Sequence, residues 1–322
     1  MSKATTNASP SRMSGTGVLT GWNGVWLIAL GAALWGTDSV LRQPLLDFLT
    51  ATQIVLLEHL LLAVYAIPVM WINRRQLRGL SLKEWGAILF ISWGGSALAT
   101  VLFTAAFGLG NASVVLLLQK LQPVFVFLLA RVVLGERLTR GFGVYLLIAL
   151  AGTYLLTFGF AVPNGNQGAN ETLASLFAIG AAVLWGGSTV MGRLLLNKMS
   201  FESVTAARFL FALPLMALLV GINGTEGVNH INMWSNFGTL WVFGLILLQA
   251  LLPGLFSLLM YYRGLSKTPA SYATLAELAF PAAGLTLNWV FLKQGFTLGQ
   301  FIGFAVIWVV VFQIARLQDR RV

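Results

Sequence analysis

Long apolar runs separated by short polar turns divide this chain into two sets of five. The first set falls around 24 to 41, 52 to 72, 85 to 107, 111 to 134 and 142 to 160, and the second near 173 to 193, 203 to 221, 238 to 262, 269 to 291 and 298 to 315. Apolar runs of about 17 to 25 residues are long enough for a helix to cross the hydrocarbon layer of a bilayer. The pattern predicts an all-α integral membrane protein with ten transmembrane helices.

The two sets are copies of each other. Ala33-Leu34-Trp35-Gly36-Thr37-Asp38-Ser39 is echoed 150 positions on by Val183-Leu184-Trp185-Gly186-Gly187-Ser188-Thr189. Ala112-Ser113 and Pro123 are echoed 158 positions on by Ala270-Ser271 and Pro281. An odd number of spans per copy turns the second copy over in the bilayer, so the duplication predicts two inverted five-helix repeats, an arrangement used by carriers. The expected division is a disordered cytoplasmic tail over 1–22, a first repeat over 23–160, an outer linker over 161–172, a second repeat over 173–316 and a cytoplasmic tail over 317–322. A cleaved signal at the start is rejected, because removing the first apolar run would leave the first repeat one helix short.

Composition agrees with the pattern. Of 322 residues 57% are hydrophobic and 9% charged, with a mean hydropathy of +0.82, which excludes a soluble protein and leaves no room for a separate soluble domain. The net charge of +10 would suit a polyanionic partner, but 16 of the 20 Lys and Arg lie in the tails and in turns of one parity, among them Arg74, Arg75, Arg78 and Lys83. Only Arg42 and Lys293 fall in turns of the other parity. This bias predicts cytoplasmic termini and removes nucleic acid as a partner. The absence of cysteine excludes disulfides and thiolate metal sites, and no cofactor is expected.

Three stretches of the first copy carry a resemblance: Pro123-Val124-Phe125-Val126-Phe127-Leu128-Leu129, Leu134-Gly135-Glu136-Arg137-Leu138-Thr139, and the fifth helix through Gly143 and Gly152. With Thr268-Pro269-Ala270-Ser271, Pro281 and Thr297 to Gly303 in the second copy, the chain resembles the drug/metabolite transporter superfamily, specifically proteins with two EamA-type domains. The resemblance covers 24 to 315. It departs at Lys293-Gln294-Gly295, where the Gly-Glu-Arg turn is not kept, and at Glu58, where the family usually has an arginine. It implies export of a small metabolite across a bacterial inner membrane, without giving the substrate, because the family handles amino acids, nucleotide sugars, polyamines and aromatic cations. Glu136, beside Arg137 and Arg140, reads as half of a local ion pair in a turn.

Ionisable groups inside spans are expensive and usually face the bundle interior or water. Asp38, Glu58, His59, Lys120, Arg208 and Glu277 are such groups. Glu58 and Arg208 occupy the same point of the repeat, which suggests a charge pair across the pseudo-two-fold. His59, about 100° round the helix from Glu58, faces a neighbour instead. Lys120 stands beside Gln119, the counterpart of Glu277, in Gln119-Lys120-Leu121-Gln122-Pro123, the most polar stretch of any span. An ion pair from Lys120 to Glu277 or Glu58 is the structural reading of these charges, and a mid-depth substrate site is the functional one. Trp35 and Trp185 lie too deep for an interfacial belt and read either as packing or as cavity walls, with Tyr261, Tyr262, Asn288 and Trp289.

The leading expectation is a secondary carrier of small polar or amphipathic, amino-acid-like metabolites, working by alternating access as a monomer or weak dimer. Its candidate substrate residues are Trp35, Asp38, Gln119, Lys120, Gln122, Trp185, Tyr262 and Glu277. Glu58, His59 and Arg208 are candidates for a charge pair, and Glu58, Glu277, His59 or Asp38 for a coupling proton. A passive channel, or an antiporter of another metabolite class, is the alternative. An enzyme is not expected: no zinc or diphosphate motif is present, and Gly94-Gly95-Ser96 and Gly186-Gly187-Ser188 only loosely match a nucleophile turn.

Overall fold

The computed structural model describes residues 24–45, 48–109, 112–136, 141–162, 169–223, 236–292 and 297–319. Every regular element among them is helical. The first repeat comprises α1 (Gly24–Trp35, resuming as Asp38–Leu45), α2 (Ala51–Ile72), α3 (Leu82–Leu89, Phe90–Leu98 and Ala99–Leu109 in sequence), α4 (Ala112–Gln119, then Gln122–Leu129 and Ala130–Leu134) and α5 (Phe142–Phe158). The second comprises α6 (Ala169–Leu195), α7 (Phe201–Asn223), α8 (Asn236–Gln249, Ala250–Phe256 and Ser257–Leu265), α9 (Ala270–Ala276, then Ala279–Leu292) and α10 (Leu298–Asp319). The tails, Arg137, Arg140 and Lys293 to Gly295 lie outside the described residues.

Local chemistry sets several helix starts. Thr50 Oγ1 accepts from the Gln53 backbone N–H while the Gln53 side chain accepts from the Thr50 N–H, a reciprocal cap that starts α2. Ser81 and Glu84 form the same device at the start of α3. Glu84 is held further by Lys198 at 2.9 Å, which ties α3 to the turn after α6.

Packing reproduces the duplication. α2 lies on α7 and α5 on α10, while α1 on α8 is matched by α6 on α3, and α1 on α9 by α6 on α4. Exchanging the two copies maps each of these pairs onto itself or onto another of them, as a two-fold relation requires. Glycines permit the closest approaches, as in other membrane bundles. A Cβ on Gly264 of α8 would stand 2.5 Å from the Gly24 carbonyl of α1, and one on Gly152 of α5 would stand 2.7 Å from Val306 of α10.

Two pairs of irregularities obey the same symmetry. α3 and α8 each widen into a π-helical segment, Phe90–Leu98 and Ala250–Phe256, at matching places. α4 and α9 read from the sequence as single spans with a proline inside each, at which a backbone hydrogen bond is lost and a kink expected, and both break, at Lys120–Leu121 and at Glu277–Leu278. The cause is proline: Pro123 and Pro281 have no N–H for the carbonyls of Gln119 and Glu277. The chain restarts through the tighter contacts Val124 N–H to Leu121 O (2.9 Å) and Phe280 N–H to Glu277 O (3.0 Å). α1 is also interrupted, at Gly36–Thr37, where Gly36 faces Gly284 of α9.

The turn after α4 reaches into the other repeat. Gly135 adopts a left-handed φ of 67°, and this turns Glu136 away from its own helix. Glu136 accepts from the Ala270 N–H (2.7 Å), the Ser271 N–H (3.2 Å) and the Ser271 hydroxyl (2.7 Å). A carboxylate at a helix start satisfies free N–H groups and meets the positive end of the helix dipole. Glu136 thus caps the start of α9 in the other repeat; its expected partners, Arg137 and Arg140, lie outside the described residues.

Candidate functional site

The break in α9 carries Glu277 into the interior, where it gathers donors from three other helices. Its Oε1 accepts from Tyr261 OH of α8 at 2.7 Å and from Thr189 Oγ1 of α6 at 3.1 Å, and its Oε2 accepts from Gln122 Nε2 of α4 at 2.8 Å. Tyr261 and Thr189 are themselves 2.9 Å apart. Four helices of both repeats therefore meet at one carboxylate. Such charge-assisted bonds are the strong ones, and a low local dielectric strengthens them further.

One aromatic contact recurs in both copies. Trp35 packs on Tyr261 with ring centroids 5.2 Å apart, and Trp185 packs on Phe103 at 5.1 Å. Phe103 and Tyr261 are 158 positions apart, so the two aromatic pairs are copies of one contact. Trp185 also donates its indole N–H to the Gly95 carbonyl at 3.0 Å, an acceptor within the π-helical segment of α3. Tyr262, expected as a cavity wall, is fully buried and serves Arg208 instead.

Arg208 of α7 is held by hydroxyl groups. It donates to Ser96 Oγ (3.0 Å), Ser188 Oγ (2.8 Å) and Tyr262 OH (3.0 Å). Both serines of the two Gly-Gly-Ser motifs thus serve as guanidinium acceptors inside helices. The expected Glu58 to Arg208 pair does not form. Each lies about 10 Å in from its own end of the bundle, at ~1.5 Å per residue, and the two ends are opposite.

Glu58 pairs with Arg42 at 3.2 Å, and Arg42 with Asp38 at 2.8 Å. Gln249 of α8 donates to the same Asp38 oxygen. Arg42 was expected in a turn, but it lies within the second half of α1, whose helix continues to Leu45. Asp38 therefore belongs to an ionic tie across α1, α2 and α8. His59 turns toward α7, with Nδ1 2.8 Å from the Val55 carbonyl and its ring edge-on to Phe209 at 5.7 Å.

Lys120 and Gln119 complete the break in α4. No carboxylate lies within ion-pair distance of Lys120 among the described residues, so neither of its expected pairs is formed; its Nζ sits 4.5 Å from the centroid of the Phe280 ring. The Gln119 amide oxygen is buried with no donor. The side chains of Asn288 and Trp289 lie outside the described residues. A cavity of about 540 Å³ between α1, α8, α9 and α10, lined by Leu30, Leu34, Met260, Leu287, Phe304 and Trp308 among others, is nearly all apolar and contains none of the charged groups.

The sequence reading missed Ser96, Phe103, Gln249 and Phe280. Phe103 was within reach, because the 158-residue offset that pairs Pro123 with Pro281 also pairs it with Tyr261.

The model of the EamA-like transporter family matches residues 22–158 and again 172–316, one match per repeat. The chain belongs to the EamA-like transporter family. The riboflavin transporter ImpX of Fusobacterium nucleatum subsp. nucleatum is 30% identical to it over 273 residues, which cover 83% of this chain and 89% of ImpX. A solved crystal structure with 20% identity superposes over 92% of this chain and 98% of its own with a TM-score of 0.71, which shows that the fold is shared. This EamA-like protein is a transporter and not an enzyme, and its substrate is a small molecule.

Proposed function

We propose that this EamA-like transporter carries a planar, amphipathic aromatic metabolite, riboflavin or a close flavin, by alternating access. The observation that supports it most is the pair of matching aromatic contacts, Trp35 with Tyr261 and Trp185 with Phe103, the first joined through Tyr261 to the polar centre at Glu277 and the second on α6, which brings Thr189 to the same carboxylate. A fused aromatic ring needs apolar faces and a few polar groups at its rim, and those are the groups gathered here. The flavin named for ImpX has that chemistry, which the amino-acid-like cargo expected from the sequence lacks.

Alternating access needs ties that close each end in turn. The Asp38, Arg42, Glu58 and Gln249 cluster serves one end, and the Glu84 to Lys198 pair serves the end that bears Arg74, Arg75 and Arg78. By the charge bias the second end is cytoplasmic. We assign the direction as export, with Glu277 as the coupling carboxylate. A proton on Glu277 would remove the charge that holds Tyr261, Thr189 and Gln122, and so loosen α4, α6 and α8 from α9.

Purified protein in vesicles tests this directly. Riboflavin flux, followed by the fluorescence of the flavin, should saturate and respond to an imposed pH gradient. No flux of any flavin would overturn the substrate, and flux indifferent to the gradient would overturn the coupling.

A further inference from the structure

Glu277 and Gln119 occupy equivalent positions of the two repeats, 158 residues apart, yet they are treated in opposite ways. Glu277 receives three donors. Gln119 is 8% exposed and its Oε1 receives none among the described residues.

The difference follows from the partners. By the same offset, Tyr261 corresponds to Phe103 and Gln122 to Phe280. Where Glu277 meets a hydroxyl and an amide, the equivalent positions around Gln119 hold two phenyl rings, and the side chain of Ser39, the counterpart of Thr189, lies outside the described residues. Lys120, next to Gln119 at the helix break, is 7% exposed, and its amine lies on the face of Phe280 with no carboxylate in reach. Glu277, one of its two expected partners, already accepts from three other donors. A buried acceptor without a donor is costly and calls for an explanation. Next to it in the chain stands a lysine whose amine lies on a ring face.

We infer that Gln119 and Lys120 form the polar edge that reads the imide of a flavin ring. The inference rests on the flavin reading above and names the contact that would make it selective. An isoalloxazine presents, along one rim, an N3–H between two carbonyls. Gln119 Oε1 accepts from the N3–H, and Lys120 leaves the face of Phe280 to donate to a neighbouring carbonyl oxygen. Phe103 and Phe280, the apolar replacements of Tyr261 and Gln122, leave the amide oxygen free for this and offer ring faces to the ligand. A site built around one donor rejects an analogue that lacks it, because the protein's own acceptor is then left unpaired.

The test uses purified full-length protein in detergent, titrated with riboflavin and with 3-methylriboflavin, whose N3 carries no hydrogen, and read by quenching of flavin fluorescence. Wild type should bind riboflavin about tenfold or more tighter than the methylated flavin, the loss expected for one hydrogen bond. Gln119→Met keeps the volume and removes the acceptor; it should weaken riboflavin and bring the two flavins to within about twofold of each other. Lys120→Met should weaken both flavins alike, since both retain the carbonyls. Equal binding of the two flavins by wild type, or discrimination that survives in Gln119→Met, overturns the inference while leaving flavin transport intact. If Gln119→Met does not elute as a folded monodisperse species, the wild-type comparison and Lys120→Met still decide. Absence of riboflavin binding by wild type overturns the flavin reading itself, and the imide contact with it.

Discussion

Tyr261 gives its phenol proton to Glu277 at 2.7 Å while its ring lies 5.2 Å from that of Trp35, so one side chain joins the polar centre to the aromatic wall. The two roles separate in Tyr261→Phe. Phe103 already fills the equivalent position of the first repeat, so the ring is tolerated and only the donor is lost. A hydrogen bond to a charged group is worth about 1.5 to 3 kcal/mol. Tyr261→Phe should purify normally and transport about tenfold more slowly or worse, and an unchanged initial rate in vesicles would show that the hydroxyl is dispensable.

Arg42 stands between two carboxylates, Glu58 at 3.2 Å and Asp38 at 2.8 Å. Arg42→Met leaves both without their cation, whereas Glu58→Met leaves Arg42 paired with Asp38, and breaking such a tie costs most when a charge is left uncompensated. Arg42→Met should lower the unfolding temperature in detergent more than Glu58→Met, and adding Glu58→Met to Arg42→Met should recover part of the loss, because Asp38 alone then lacks its cation. Additive losses in the thermal melts would mean that Arg42 and Glu58 do not act as a pair.

Glycine contacts give a graded series. Gly264→Ala and Gly303→Ala drive a Cβ into the backbone of α1 and α5 respectively, whereas Gly86→Ala and Gly244→Ala meet nothing within 4 Å. The first two should lose most folded protein on size-exclusion chromatography, and the second two should match wild type.

Glu136 links the repeats through the start of α9. Glu136→Ala removes three accepted hydrogen bonds and a favourable charge at a helix start, and such a cap is worth about 0.5 to 2 kcal/mol. Glu136→Gln, which keeps an acceptor, should fall between Ala and wild type in unfolding temperature; equal melts for all three would remove the capping role.

Ten spans and their inversion were legible because burying a helix in lipid demands long apolar runs, and a duplicated gene writes them twice. The breaks in α4 and α9 were half legible: Pro123 and Pro281 announced a lost hydrogen bond, but not that the helices would restart two residues on. The charge partners were misread for a geometric reason. Glu58 and Arg208 are equivalent in sequence, and under an inverting two-fold equivalent positions lie at mirrored depths, so equivalence argues against contact except near the axis. Lys120 was matched to Glu277 without knowing that three uncharged donors already occupy that carboxylate. The contacts of Glu136 with α9 were not legible, because the left-handed turn at Gly135 that directs it there is not visible in a sequence.

A carrier made of two identical halves would hold its cargo in two interchangeable poses, since turning the molecule over would return the same surroundings. Glu277 and Gln119, equivalent in position and unlike in their partners, break that symmetry. At the site proposed above, a filled carboxylate and an open amide would leave a ligand one rim that fits, and hence a single pose. The scaffold is reversible from end to end, while its interior has a head and a tail.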